Sequence, residues 1–117
     1  MNTFDINTYK GDTWNGIKSV ELLKSGVPIV IPDTAKIYMQ IKTDSEDTIS
    51  VLSLSTDNGT IDIIDGPNGK FRINPIIVNI AAGSYVYDVQ INFSSTEIKT
   101  YLKGNFTVVQ DVTVPTT

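Results

Sequence analysis

The chain contains no cysteine and no histidine. Without cysteine there is no disulfide, no thiolate zinc site and no thiol nucleophile. Without histidine there is no imidazole general base, no Ser-His-Asp triad and no supply of the commonest transition-metal ligand. No cofactor, bound metal or catalytic residue is therefore expected. Basic runs are missing as well. Lys plus Arg number 9 against 13 Asp plus Glu, a net charge of −4. A phosphate-backbone footprint, and so a nucleic-acid partner, is not expected. Apolar runs such as Ile76-Ile77-Val78 are far too short to cross a bilayer, and no membrane partner is expected. The N-terminus, Met1-Asn2-Thr3-Phe4-Asp5, has neither a basic nor an apolar leader region, so no secretory signal is expected. The triplets Asn58-Gly59-Thr60 and Asn105-Phe106-Thr107 match a glycosylation acceptor, and both are discounted on that ground.

What remains is a β pattern. At 117 residues with 40% hydrophobic content, the chain reads as one domain over residues 1–112 with a flexible tail at 113–117. The strongest signal is Gly83 to Phe93, where Tyr85, Tyr87, Val89, Ile91 and Phe93 recur at period two. A second clean alternation puts Ala35, Ile37, Met39 and Ile41 on one face, with Lys36, Tyr38, Gln40 and Lys42 on the other. Shorter strands are expected over Thr3–Tyr9, Ile17–Lys24, Thr48–Leu54 with Ile49 and Val51 on one face, Thr60–Ile64, Lys70–Ile73 and Ile98–Gln110.

Turn signals separate them. Ser25-Gly26 and Asp57-Asn58-Gly59 read as hairpin turns. Pro28 and Pro32 make Val27–Pro32 an edge or crossing segment. Gly104 marks a bulge or a close backbone approach. The expected core is Ile37, Met39, Ile41, Val51, Phe71, Ile73, Tyr85, Tyr87, Val89, Ile91 and Phe106. Counting short strands between turns gives an all-β sandwich or barrel; the Ile73–Tyr87 stretch, read as a crossing between sheets, favours an immunoglobulin-like antiparallel β-sandwich of about seven to nine strands. The crossing from Ile73 to Tyr87 then predicts a tyrosine corner. Tyr85 should bond a backbone group just upstream, with Tyr87 the runner-up.

Three clusters carry a family resemblance. They are Lys10-Gly11-Asp12-Thr13-Trp14; Ile37 to Lys42 followed by Leu52-Ser53-Leu54-Ser55-Thr56 and the Asp57-Asn58-Gly59 turn; and Gly83 to Ile91 followed by Tyr101 to Val108 and Asp111-Val112-Thr113. In this order the chain resembles the small immunoglobulin-like structural proteins of tailed bacteriophages. More loosely, it is similar to the N-terminal domain of phage upper baseplate proteins. The resemblance implies a non-enzymatic virion component of head, neck or tail. It would be made in the bacterial host cytoplasm and located in the virion. Its partners would be other virion proteins (capsid, neck or tail) or further copies of itself. The resemblance supplies no catalytic or binding residues.

Other readings are set beside it. A carbohydrate-binding or adhesion module on the same scaffold needs exposed aromatics, for which Trp14, Tyr9, Tyr38 and Tyr101 are the candidates; Trp14 is expected to cap the core. The polar loop Thr43 to Asp47 has three carboxylates but not the alternating pattern of a Ca²⁺ loop. Asp62 and Asp65 form a carboxylate pair beside a turn, without an apolar pocket in view. For protein contact, the candidate is the C-terminal edge at Phe106, Val108, Val109 and Val112. It has no proline before Pro115 and could take an added strand. Burial of that edge under Thr3–Tyr9 of the same chain is the competing arrangement.

Overall fold

The computed structural model describes residues 2–44, 46 and 49–110. Its strands run in order as β1 (Asn2–Thr3), β2 (Ile6–Tyr9), β3 (Thr13–Trp14), β4 (Ile17–Glu21), β5 (Leu23–Lys24), β6 (Val27–Pro28), β7 (Lys36–Lys42), β8 (Leu52–Ser55), β9 (Ile61–Asp65), β10 (Lys70–Ile73), β11 (Ile76–Ile77), β12 (Gly83–Asn92) and β13 (Ile98–Val109). A 3₁₀ turn, Gly66–Asn68, links β9 to β10. The larger sheet has six strands in the order β1-β13-β12-β7-β8, with β2 also on β13. The smaller has three, in the order β4-β10-β9. These are the strand neighbours of an immunoglobulin sandwich: G, F, C and C′ in one sheet, B, E and D in the other.

The two sheets meet through their apolar faces. Ile37, Met39, Ile41, Val89 and Ile91 of the large sheet and Ile61, Phe71 and Ile73 of the small one share one core. Each alternates with outward polar neighbours, which is what a half-buried strand requires. Tyr85 opens β12 and its hydroxyl donates to the Ala81 carbonyl at 2.6 Å. That bond closes the turn between sheets, as the spacing from Gly83 predicts. Gly104 is a close approach: a Cβ there would land on the Phe4 carbonyl. The bulge lies nearby, where the register of β12 on β13 shifts between Val89 and Gln90. Ser25 and Gly26, both at positive φ (54° and 80°), turn β5 into β6, and Ile31 then carries the chain back through the core.

Three expectations are corrected. Val51 is 43% exposed and Ile49 79% exposed, so neither belongs to the core. The stretch offers two competing alternations, and pairing with β7 selects the one that sets Leu54 against Met39. A slip of one residue reverses which face is buried. Secondly, Asp57-Asn58-Gly59 is not a hairpin turn. It carries the chain from β8 in the large sheet to β9 in the small one. On the side of β8 away from β7, where a returning hairpin strand would pair, Ser55 N–H instead donates to Thr60 Oγ1 (2.8 Å) and Asn58 Oδ1 (3.3 Å). Thirdly, β13 is not an open edge but takes the competing arrangement, covered by the N-terminal strands. It is flanked by antiparallel β12 and by parallel β1 and β2, with Phe106 opposite Ile6 and Val109 opposite Tyr9. Residues Ser45, Asp47, Thr48 and Val112, and the expected tail, lie outside the described residues.

Candidate functional site

Alternation along three neighbouring strands builds the broad outer surface of the large sheet. β7 turns Lys36, Tyr38, Gln40 and Lys42 away from the core. β12 does the same with Val86, Asp88 and Gln90, and β13 with Lys103 and Asn105. Register then orders them into rows across the sheet. Gln40, Asp88 and Lys103 form one row; Lys42, Val86 and Asn105 form the next.

The N-terminal segment adds a rim. Between β1 and β2 the chain steps at Phe4 and Asp5, with Phe4 N–H donating to the Lys103 carbonyl at 3.0 Å. Asp5 Oδ1 accepts from Asn105 N–H at 3.0 Å. The Tyr87 hydroxyl donates to the Phe4 carbonyl from below. Its pKa is pushed up to about 12, first by burial and then by the Asp5 carboxylate. Rim and rows together enclose an open concavity of about 500 Å³, lined by Thr3, Asp5, Gln40, Lys42, Val86, Tyr87, Asp88, Thr100, Lys103, Gly104 and Asn105.

The concavity mixes donors and acceptors of both signs. Among the described residues, the ion pairs lie elsewhere: Lys36–Asp57 at 2.7 Å, Arg72–Asp62 at 3.3 Å and Lys70–Glu21 at 3.6 Å. Lys42, Lys103 and Asp88 therefore lie on this face without an ion-pair partner among the described residues. Such groups can meet complementary charges on another surface without first breaking an internal pair.

The other candidates occupy different places. Trp14 is half-buried, edge-on to Phe106 with ring centroids 5.7 Å apart, which is the expected capping role. Tyr38 sends its hydroxyl to Asp57 Oδ2 at 3.2 Å, and burial followed by that bond raises its pKa. Tyr101 packs edge-on against Phe93, and Tyr9 is exposed. None of these four lines the concavity. Asp62 is held by Asn74 (2.9 Å) and Arg72 (3.3 Å), which keep its carboxyl below the ordinary range. Asp65 is bonded instead to Asn68 at 2.8 Å. The two carboxylates thus serve separate contacts. Among the described residues, no group of three His, Cys, Asp or Glu is placed to hold a metal.

The C-terminal candidates are split by β13's own alternation. Phe106 and Val108 are buried in the core (0% and 2% exposed), while Val109 is on the surface. The structure thus brings together a set the sequence did not single out: Gln40, Lys42, Asp88, Lys103 and Asn105. Their outward direction follows from period two, but their grouping needs the register. The chain matches no protein-family model and no curated protein.

Proposed function

We propose that this domain is a non-enzymatic structural component of a tailed-phage particle, working through protein–protein contacts on the outer face of its large sheet. The motif order described above supplies the phage reading. The observation that carries the choice of surface is the concavity with its solvent-facing Lys42, Asp88 and Lys103. A rim of mixed charge gives orientation and partner choice more than raw affinity. The partner is another virion protein or a second copy of the chain. The carbohydrate reading has less support, since Trp14, Tyr9, Tyr38 and Tyr101 lie outside the concavity.

The test is genetic and structural together. Lys42→Glu with Lys103→Glu reverses two outward-facing charges, Lys42 half-buried and Lys103 exposed, without touching the core. The folded double variant should enter particles at reduced copy number, measured by mass spectrometry of purified virions. Undiminished incorporation would remove this face from the attachment surface. Absence of the wild-type protein from particles would remove the phage reading itself.

A further inference from the structure

The sequence has three Asn-Gly pairs: Asn15-Gly16, Asn58-Gly59 and Asn68-Gly69. We propose that Asn15 is a site of spontaneous covalent modification, deamidating ahead of the other two because the fold holds those two and leaves Asn15 free.

The chemistry is the same at each pair. The glycine N–H loses its proton to solvent base, and its nitrogen attacks the asparagine Cγ. A C–N bond forms, the Cγ–Nδ2 bond breaks, and the amide nitrogen leaves as ammonia. Water then opens the five-membered imide at either carbonyl, giving aspartyl or isoaspartyl. Glycine favours the step because no side chain obstructs the approach to its nitrogen.

The fold treats the three pairs differently. At Asn58, Oδ1 accepts from Ser55 N–H (3.3 Å) and Thr60 N–H (3.1 Å) and contacts the Thr60 hydroxyl, and Nδ2 donates to the Ser53 carbonyl (3.4 Å). Turning Cγ toward Gly59 would break these bonds. At Asn68, Nδ2 donates to Asp65 Oδ2 at 2.8 Å. The nucleophile there is also engaged, since Gly69 N–H donates to the Gly66 carbonyl at 3.0 Å, and Gly69 is buried. Asn15 is exposed in the two-residue link between β3 and β4. Among the described residues, neither its amide nor Gly16 N–H has a hydrogen-bond partner.

The experiment is ageing of the intact protein in mildly alkaline buffer, followed by peptide mapping with mass spectrometry. Two net hydrogen bonds are worth roughly tenfold or more in population, so Asn15 should convert about that much faster than Asn58 or Asn68. In urea the three rates should come together. The inference is overturned if Asn58 or Asn68 leads in the folded protein, or if Asn15 leads by the same factor in urea. Thr60→Val, which removes one contact at Asn58 Oδ1, should speed Asn58 and leave Asn15 unchanged. An unchanged Asn58 rate in that folded variant would also overturn the explanation.

Discussion

Replacing Tyr87 with Phe removes one oxygen, and the structure predicts that its effect on stability changes sign with pH. Tyr87 is 3% exposed and its hydroxyl donates to the Phe4 carbonyl, pinning the step between β1 and β2. At neutral pH the variant loses that bond. The expected loss is about 0.5–1.5 kcal/mol, the net worth of one hydrogen bond. In alkali the sign turns. The phenol's pKa lies at about 12 in the fold against an ordinary value of 10.0, so the folded state holds its proton more tightly than the unfolded chain. Stability from the neutral phenol is fully present below pH 10 and is lost as pH rises from 10 toward 12. At roughly pH 11 the loss comes to about 1.4 kcal/mol. That is about the worth of the bond, so the two stability curves should cross near there. Every other titration is common to both proteins and cancels in the difference. Urea unfolding, followed by Trp14 fluorescence across a pH series, measures it. If wild type and Tyr87→Phe lose stability in parallel above pH 10, the assignment of the raised pKa to Tyr87 is wrong.

Tyr85→Phe should lose about 0.5–1.5 kcal/mol at neutral pH, because its hydroxyl donates to the Ala81 carbonyl at the corner; urea unfolding reads this as well. Ile91, fully buried, should cost about 2–5 kcal/mol when cut to Ala. Val51→Ala should stay within about 0.5 kcal/mol by chemical denaturation, as an exposed position does; a large loss there would restore the register in which Val51 faces the core. Asn58→Ala should unblock the edge of β8 and make self-association concentration-dependent in light scattering. A variant that stays folded and monomeric at all concentrations would refute the edge-blocking role.

The parts of the fold that were legible are those where one alternation has no rival. Over Lys36–Lys42 and Tyr85–Ile91 every second residue is apolar and its neighbours are mostly polar, so face and core follow from period two alone. The tyrosine corner was legible because Gly83 and Tyr85 fix a local geometry. At Ile49–Leu54 both phases carry apolar residues, and only the β7 partner decides between them. The Asp57–Gly59 turn was misread for a similar reason. Asn-Gly favours a tight reversal, but the Ser55 and Thr60 contacts that send the chain to the other sheet involve residues outside the turn's own signature. The concavity was legible residue by residue and not as a site. Gln40, Asp88 and Lys103 are distant in sequence and become neighbours only through two ladders.

The edges of the two sheets bear on which surface is left for partners. Exposed strand edges recruit other chains unless they are blocked. At the β8 edge, antiparallel alternation turns the main-chain groups of Ser53 and Ser55 away from β7. Side chains of the following turn then take three of these four groups: Thr60 and Asn58 accept from Ser55 N–H, the Thr60 hydroxyl donates to the Ser55 carbonyl, and Asn58 Nδ2 donates to the Ser53 carbonyl. In the small sheet, the ladders of β10 on both β4 and β9 carry a register shift, and β4 also carries exposed Lys18. Bulges and lysines both discourage a further strand. The C-terminal strand β13, the edge expected from sequence, is covered by β1 and β2. At β8, β13 and the small sheet, these features disfavour joining a partner by strand addition. Contact through side chains on a face needs no free main-chain groups, and the outer face of the large sheet presents Lys42, Asp88 and Lys103 there, without an ion pair among the described residues. The blocking at these edges and the open polar face therefore both bear on the proposed mode of contact, through side chains rather than by strand addition.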